Sequence, residues 1–201
     1  MAKILSDVVP VSLFHKIKNI IESETFPWYY VPTTAYTGDL SASIETLHNG
    51  SFHHTIHDNN ALYECLEDYL LCAMDAAEIK LNTLHRIRIG MIPVSARNTI
   101  NPPHVDYPFP HSVALLYLNN ADGNTFLYNE KYDTESKKDI LTYYQEDLNS
   151  NVTVMTSVTP QENKLVLFDG LHYHSSSAPV TTKRRITVNY VFEGENIWQR
   201  N

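Results

Sequence analysis

Apolar side chains in the first part of the chain recur at helical spacing. Between Val11 and about Ser23 they fall on one helical face, as Leu13, Phe14, Ile17, Ile20 and Ile21. A second helix is predicted from Asn60 to Lys80, with Asp58 as its N-cap. Its apolar stripe consists of Leu62, Leu66, Tyr69, Leu70, Ala73 and Ala77. Between the two helices, an aromatic run over residues 26–31 is typical of an extended segment.

From Leu84 onward the pattern changes to the alternation of polar and apolar residues that is typical of strands, beginning with Arg86–Met91. Further strands are predicted at Val113–Leu118, Thr125–Tyr128, Val152–Ser157, Lys164–Phe168 and Ile186–Phe192. Prolines, glycines and other turn residues separate these runs. The polar segment 129–150 is predicted to be an excursion from the sheet, a candidate lid with room for a short helix.

The order of these elements, helices first and strands second, favours an α+β protein in which helices buttress a β-rich core. Many short strands in the second half fit a sandwich or barrel, including the eight-stranded jelly roll. A chain of 201 residues suits one domain. We therefore expect residues 1–83 to form a helical support and residues 84–201 to form the β-rich core.

Composition and charge narrow the possible partners. The net charge is −8, and the only basic run is Lys183-Arg184-Arg185, which disfavours nucleic acid as a partner. No apolar run approaches the roughly 18 residues that span a membrane, and no secretory signal is recognisable. Cys65 and Cys72 lie two helical turns apart, about 10 Å, too far for a disulfide. We expect two reduced thiols and a cytoplasmic protein.

The chemistry centres on the tripeptide His104-Val105-Asp106, whose outer residues point to one side of a strand. His174 follows an apolar strand, and Arg184-Arg185 opens the last strand. Two histidines and a carboxylate are the facial triad of non-haem Fe(II) oxygenases. Such a triad leaves room for a bidentate 2-oxo acid and O₂, and an arginine suits the far carboxylate of that acid.

Several motifs from His104 to Phe192 carry a resemblance to the 2-oxoglutarate/Fe(II) oxygenase superfamily, in its prolyl-4-hydroxylase-like branch. The branch pattern is matched by His104-Val105-Asp106, Leu115-Leu116-Tyr117-Leu118-Asn119, Asp122-Gly123-Asn124-Thr125-Phe126, Leu165–Phe168, His174, Pro179-Val180 and Arg185. The segments Phe168-Asp169-Gly170, Phe26-Pro27-Trp28-Tyr29 and Arg86-Ile87-Arg88 also resemble those of uncharacterised members encoded by phages.

The resemblance implies a double-stranded β-helix, which is a cupin-like jelly roll, with His104, Asp106 and His174 as catalytic iron ligands at its open end. It implies Fe(II), 2-oxoglutarate and O₂ as cofactor and co-substrates, with ascorbate supportive. The products would be succinate, CO₂ and an oxidised C–H bond. Halogenases of this superfamily lack the carboxylate ligand, whereas Asp106 is present, so hydroxylation is expected.

Arg185 would bind the far carboxylate of 2-oxoglutarate. Some prolyl hydroxylases add a tyrosine, at a position where this chain has Leu116. A second anchor must then come from elsewhere, and Tyr117, Thr125 and Arg88 are the candidates. In the turn before Thr125, Asn124 replaces the second glycine of the branch pattern.

The sequence leaves two assignments open. His172 and His174 would share a face of an extended segment, and the distance to Pro179 favours His174 as the ligand. Arg184 and Arg185 point to opposite faces, and the register to Phe192 favours Arg185 as the inward residue. The cluster His53-His54-x-x-His57 lacks apolar periodicity and is predicted to be a polar loop, which disfavours a second metal site.

Three functions of different classes fit these residues. The first is a hydroxylase acting on a protein or peptide side chain or on a small molecule. The second is a cupin-like metal protein with another reaction or a ligand-binding role, which would have no need of Arg185. The third is a structural β-protein without metal affinity. The acceptor substrate and the oligomeric state are not readable from the sequence.

Overall fold

The computed structural model describes residues 2–32, 50–56, 60–97, 99–135 and 152–195. Helix α1 spans Val11–Ile21 and helix α2 spans Ala61–Ala76. The strands in this part of the chain are β1 (Lys3–Ser6), β2 (Tyr29–Val31), β3 (Ser51–Ile56), β4 (Lys80–Pro93), β5 (Ser112–Tyr117), β6 (Thr125–Lys131), β7 (Val154–Val158), β8 (Lys164–Asp169), β9 (His172–Ser176) and β10 (Arg184–Glu195). Neither helix of the described residues is long and apolar enough to cross a membrane.

The described strands form two antiparallel sheets. The larger has the order β1-β8-β5-β10-β4-β3-β2, and the smaller has the order β7-β6-β9. Single bridges from Ile100 to Ser177 and from His104 to His174 lay the segment before β5 along the free side of β9. This segment thus extends the smaller sheet and brings His104 next to His174.

The two faces of the larger sheet have different partners, because side chains alternate along each strand. One face packs against both helices through Phe14, Ile17, Leu66, Leu70, Ile87, Ile89, Ile186, Val188 and Tyr190. The other face packs against the smaller sheet through Val113, Leu115, Tyr117, Val166 and Phe168, which meet Leu127 and Val158. The helices therefore buttress a two-sheet core, as the sequence predicted.

Helix α2 begins later and ends earlier than predicted. Its N-cap is Asn60, whose side-chain oxygen accepts hydrogen bonds from the backbone N–H groups of Leu62 (3.0 Å) and Tyr63 (2.8 Å). The prediction of Asp58 as the N-cap was wrong, because the amide of Asn60 already satisfies these exposed donors. The chain leaves the helix at Ala77 and enters β4 at Lys80.

Three strands were missed by the sequence pattern. His53 and His54, predicted to lie in a polar loop, belong to strand β3, which pairs with β4 and places His53 opposite Gly90. Strand β1 at the N-terminus pairs with β8. Strand β9, in a segment for which no strand was predicted, pairs with β6. All three depend on a partner distant in sequence, which local periodicity does not reveal. Of the predicted excursion, residues 129–131 belong to β6, and residues 136–150 lie outside the described residues.

Candidate metal centre

The bridge between His104 and His174 brings two imidazoles together between the sheets. Their ring centroids lie 4.5 Å apart. The Nδ1 atom of His104 is 3.2 Å from the carbonyl oxygen of Pro102, and Nδ1 of His174 is 3.2 Å from the carbonyl oxygen of His172. Each Nδ1–H can donate to its carbonyl, which leaves the Nε2 lone pair of each ring free to bind a metal.

Asp106 completes the group. One ligand atom from each of His104, Asp106 and His174 lies within 4.8 Å of the others, and this is the one group of its kind among the residues described. Oδ2 of Asp106 lies 3.7 Å from Nε2 of His174. Two imidazoles and one carboxylate are a donor set that suits Fe(II) and leaves coordination positions open. These residues therefore fit the metal that the sequence implies.

Two further side chains hold the Asp106 carboxylate. Arg86 Nη2 donates to Oδ1 at 2.5 Å, and Asn189 Nδ2 donates to Oδ2 at 3.0 Å. Burial raises the pKa of Asp106, but the positive charge of Arg86, followed by the neighbouring imidazoles, outweighs it and keeps this pKa well below its usual value. The carboxylate is therefore ionised at neutral pH, as a metal ligand must be.

The histidines of the site are held in their neutral form. Burial is the main cause that lowers the pKa of His174, to about 3, and proximity to His104 adds to it. Burial also lowers the pKa of His104, against the opposing effect of Asp106. Neutral imidazole is the metal-binding form, so both rings are ready to bind a cation without first losing a proton.

Arg185 lies inside the same pocket, on β10. Its Nη2 donates to the Thr125 hydroxyl at 2.7 Å, and the Tyr117 hydroxyl also donates to that oxygen, at 2.7 Å. The guanidinium carbon lies 5.6 Å from the centre of the Tyr117 ring. Arg185 is only 4% exposed, and its Nε has no hydrogen-bond partner. Burial lowers its pKa, yet an arginine stays protonated in proteins, so this is a buried cation without a carboxylate partner among the described residues.

The neighbouring basic residue has a different environment. Arg184 points to the opposite side of the strand, where it is half-exposed and pairs with Glu22 at 3.1 Å. His172 likewise lies apart from the metal-binding group, because its Nδ1 contacts the carbonyl oxygen of Tyr128 at 2.9 Å. The structure thus brings together His104, Asp106, His174, Arg185, Tyr117 and Thr125.

The site also uses residues that sequence reasoning missed. Arg86 and Asn189, which hold Asp106, come from β4 and β10, about 20 residues before and 80 residues after it. The alternating pattern places each on the polar side of its strand, but nothing in the sequence says which carboxylate it meets. Together with these residues, Arg88, His53 and Thr187 line an open pocket of about 630 Å³.

Comparison with known proteins identifies solved structures that have a similar fold. No protein-family model and no curated protein match the sequence. Among solved structures, a Pseudomonas putida prolyl-4-hydroxylase is similar with a TM-score of 0.55 and 13% identity, over 96% of this chain and 91% of that one. A 2-oxoglutarate/Fe(II) oxygenase-family oxidoreductase from Burkholderia pseudomallei has a TM-score of 0.61 and 14% identity, over 96% and 84% of the chains.

A third solved structure is a Trichoplax adhaerens prolyl hydroxylase in complex with a peptide fragment of the hypoxia inducible factor oxygen degradation domain. It has a TM-score of 0.58 and 14% identity, over 95% of this chain and 82% of that one. The chain has the jelly-roll fold of the 2-oxoglutarate/Fe(II) oxygenases. At such low identity the comparison establishes the fold, and the chemistry of the site rests on the residues described above.

Proposed function

We propose that this protein is an Fe(II)- and 2-oxoglutarate-dependent dioxygenase that hydroxylates a C–H bond and releases succinate and CO₂. The observation that carries the proposal is the presence, in one pocket, of a His-Asp-His donor set and a buried arginine without a carboxylate partner in the described chain. A ligand that binds both must combine a metal-chelating end with an anionic end. 2-Oxoglutarate has these two ends.

The residues of the pocket divide this work. His104, Asp106 and His174 would hold the iron, while Asn189 and Arg86 keep the carboxylate of Asp106 ionised and oriented. Arg185 would bind the distal carboxylate of 2-oxoglutarate, with the Thr125 and Tyr117 hydroxyls close enough to share it. Iron bound here would activate O₂, the four-electron oxidant, which takes two electrons from 2-oxoglutarate and two from the C–H bond. Ile92 and Leu115 add apolar surface to the lining of this pocket.

The acceptor is proposed to be a peptide or protein side chain, or a small molecule. Support for a peptide comes from the solved relatives, since two are prolyl hydroxylases and one of these was solved with a peptide fragment. Support for an intracellular site of action comes from the two cysteines, which are both free thiols. The sequence resemblance to phage-encoded members would place that site in the cytoplasm of a host cell.

The test measures co-substrate binding and turnover separately. Calorimetry under anaerobic conditions should show 2-oxoglutarate binding that requires Fe(II). In air with ascorbate, the protein should release succinate. Asp106→Ala should remove the Fe(II) dependence by removing a ligand. Arg185→Met should weaken 2-oxoglutarate binding by about tenfold or more, because charge-assisted hydrogen bonds are lost.

Arg184→Met is the matched control. It removes the same charge one residue away, from the outer side of the strand, and should leave 2-oxoglutarate binding unchanged. If the native protein binds Fe(II) but shows neither 2-oxoglutarate binding nor succinate release, the proposal is wrong and a cupin-like metal protein becomes the better description.

A further inference from the structure

Three arginines line the pocket, and one of them has no role in the function proposed above. Arg86 is paired with Asp106, and Arg185 contacts Thr125 at the far end. Arg88, half-buried on β4, feels the negative charge of Asp106 but forms no ion pair among the described residues, and its Nε is buried without any hydrogen-bond partner. Burying a positive charge in such a position costs free energy unless a ligand of opposite charge pairs with it.

Arg88 is held in place by a short chain of neutral side chains. Its Nη2 donates to Nδ1 of His53, and Nε2 of His53 lies 3.1 Å from the hydroxyl of the fully buried Ser51. Burial, followed by the positive charge of Arg88, lowers the pKa of His53 to about 3, so the ring is neutral and can accept from the arginine. This chain orients the guanidinium without neutralising it.

The strand register separates Arg88 from the arginine proposed to bind the co-substrate. Arg185 lies opposite Ile92, whereas Arg88 lies opposite Asn189, the residue that contacts Asp106. The backbone positions of the two arginines are therefore offset by four residues along the paired strands, which corresponds to about 13 Å. 2-Oxoglutarate bound between the triad and Arg185 would extend in the direction away from Arg88. Arg88 lies on the other side of the triad in the same pocket, where β3 pairs with β4.

We infer that Arg88, positioned by His53, binds an anionic group of the acceptor substrate, either a carboxylate or a phosphate. This inference rests on the proposed function, since it assigns the remaining side of that pocket to the acceptor. The planar guanidinium fork matches the oxygen pairs of both anions, and the adjacent triad would then face a carbon of the same molecule. Acceptors without an anionic group would bind poorly.

The experiment compares a carboxylate probe with its uncharged amide, and it adds inorganic phosphate as a second kind of anion. Anaerobic protein loaded with Fe(II) and 2-oxoglutarate is titrated with N-acetylglycine, with its uncharged amide, and with inorganic phosphate, and binding is followed by calorimetry and by the midpoint of thermal unfolding. The variants are Arg88→Met, Arg88→Lys and Arg97→Met. The last removes an exposed positive charge outside the pocket and serves as the control.

We expect at least one anion to bind the native protein about tenfold or more tightly than the amide, and Arg88→Met to abolish this preference. Arg88→Lys should retain part of it, and Arg97→Met all of it. Whether N-acetylglycine or phosphate binds more tightly identifies the class of anion. His53→Ala should weaken binding of the preferred anion less than Arg88→Met does, because it removes the hydrogen bond that orients Arg88 but leaves its charge.

Two results would overturn the inference. The first is that neither anion is preferred to the amide, or that the preference persists in Arg88→Met. The second is that Arg88→Met weakens 2-oxoglutarate binding as strongly as Arg185→Met does, which would assign Arg88 to the co-substrate. Failure of the proposed function gives a different result, since the native protein would then show no Fe(II)-dependent binding of 2-oxoglutarate. Anion binding that depends on Arg88 could still be measured in the absence of 2-oxoglutarate.

Discussion

Arg86 and Asp106 form a largely buried ion pair in which Nη2 of the arginine donates to Oδ1 of the carboxylate at 2.5 Å. This contact occupies one carboxylate oxygen and turns the other toward His174 and Asn189. Oδ2 has a second lone pair besides the one that accepts from Asn189, and it is therefore the oxygen available to a metal. The geometry of the candidate iron site thus depends on residues that are not ligands themselves.

Removing the amide that holds this oxygen should weaken metal binding. Asn189→Ala deletes the hydrogen bond to Oδ2 of Asp106 without changing any charge. Loss of such an outer contact typically lowers metal affinity by about 10–100-fold. The measurement is a competition titration of Fe(II), or of Mn(II) as its redox-stable substitute, against a chelator. Asn82→Ala, on the exposed part of β4, should bind metal as the native protein does, and equal affinities in both variants would contradict this role of Asn189.

The turn at Gly123 should not tolerate a side chain. A Cβ atom placed there would lie 2.5 Å from the carbonyl oxygen of Ser177 and 2.8 Å from the nitrogen of Pro179, and both are backbone atoms that cannot rotate away. We expect Gly123→Ala to lower the free energy of unfolding by about 1–3 kcal/mol, as overpacking does. Chemical denaturation measures the change.

Gly90→Ala is the control for that substitution. The nearest atoms to a Cβ at Gly90 are 3.6 Å away, which is ordinary contact, so its stability should equal or slightly exceed that of the native protein. If both alanine variants lose the same stability, the close approach at Gly123 is not the cause.

The N-cap of α2 should contribute to stability through the side chain of Asn60. Asn60→Ala removes the acceptor of two backbone N–H groups and should cost about 1 kcal/mol. Asn60→Asp keeps an acceptor oxygen at the same position, and we expect it to be as stable as the native protein or more so. Comparison of the unfolding midpoints of the three proteins in urea checks this, and a loss in Asn60→Asp as large as in Asn60→Ala would rule out capping.

Asp122 should make the stability of the protein depend on pH. Its carboxylate accepts hydrogen bonds from the hydroxyl of Thr182 and from backbone N–H groups of Val180, Thr181 and Thr182. The Thr182 hydroxyl, followed by these N–H groups, holds the pKa of Asp122 well below its usual value. A carboxyl group with a depressed pKa stabilises the fold above its unfolded pKa of about 3.9, and this contribution is lost as the pH falls below that value.

Asp122→Ala should therefore be less stable than the native protein at pH 7, by about 1 kcal/mol given the exposure of the site. The difference should shrink as the pH falls below about 4. Thermal unfolding between pH 3 and pH 7 measures it. Asp68→Ala, which removes an exposed carboxylate of α2, should show no such convergence, and a constant difference for Asp122→Ala would contradict the assignment.

The spacing of apolar residues predicted the helices and strands correctly where an element has a clear helical or strand periodicity. Both helices and six strands lie where the pattern of apolar residues predicts them. Their ends agree within four residues, except that β4 begins six residues earlier than predicted. It failed for Ser51–Ile56, because a polar strand is defined by the partner it pairs with and not by its own side chains. It also placed the N-cap two residues early, because Asp58 and Asn60 are both capping residue types.

By itself, the sequence determined the α+β class, the helical support and the residue types of the site: an H-x-D tripeptide, later histidines and a pair of arginines. It favoured His174 over His172 and Arg185 over Arg184 but left both assignments open, because members of each pair have the same chemistry and lie close together in the chain. Only the tertiary structure places His174 beside His104, Arg185 in the pocket, and Arg86 and Asn189 on Asp106. These contacts join strands that are distant in the chain, and they are set by how the two sheets pair and pack.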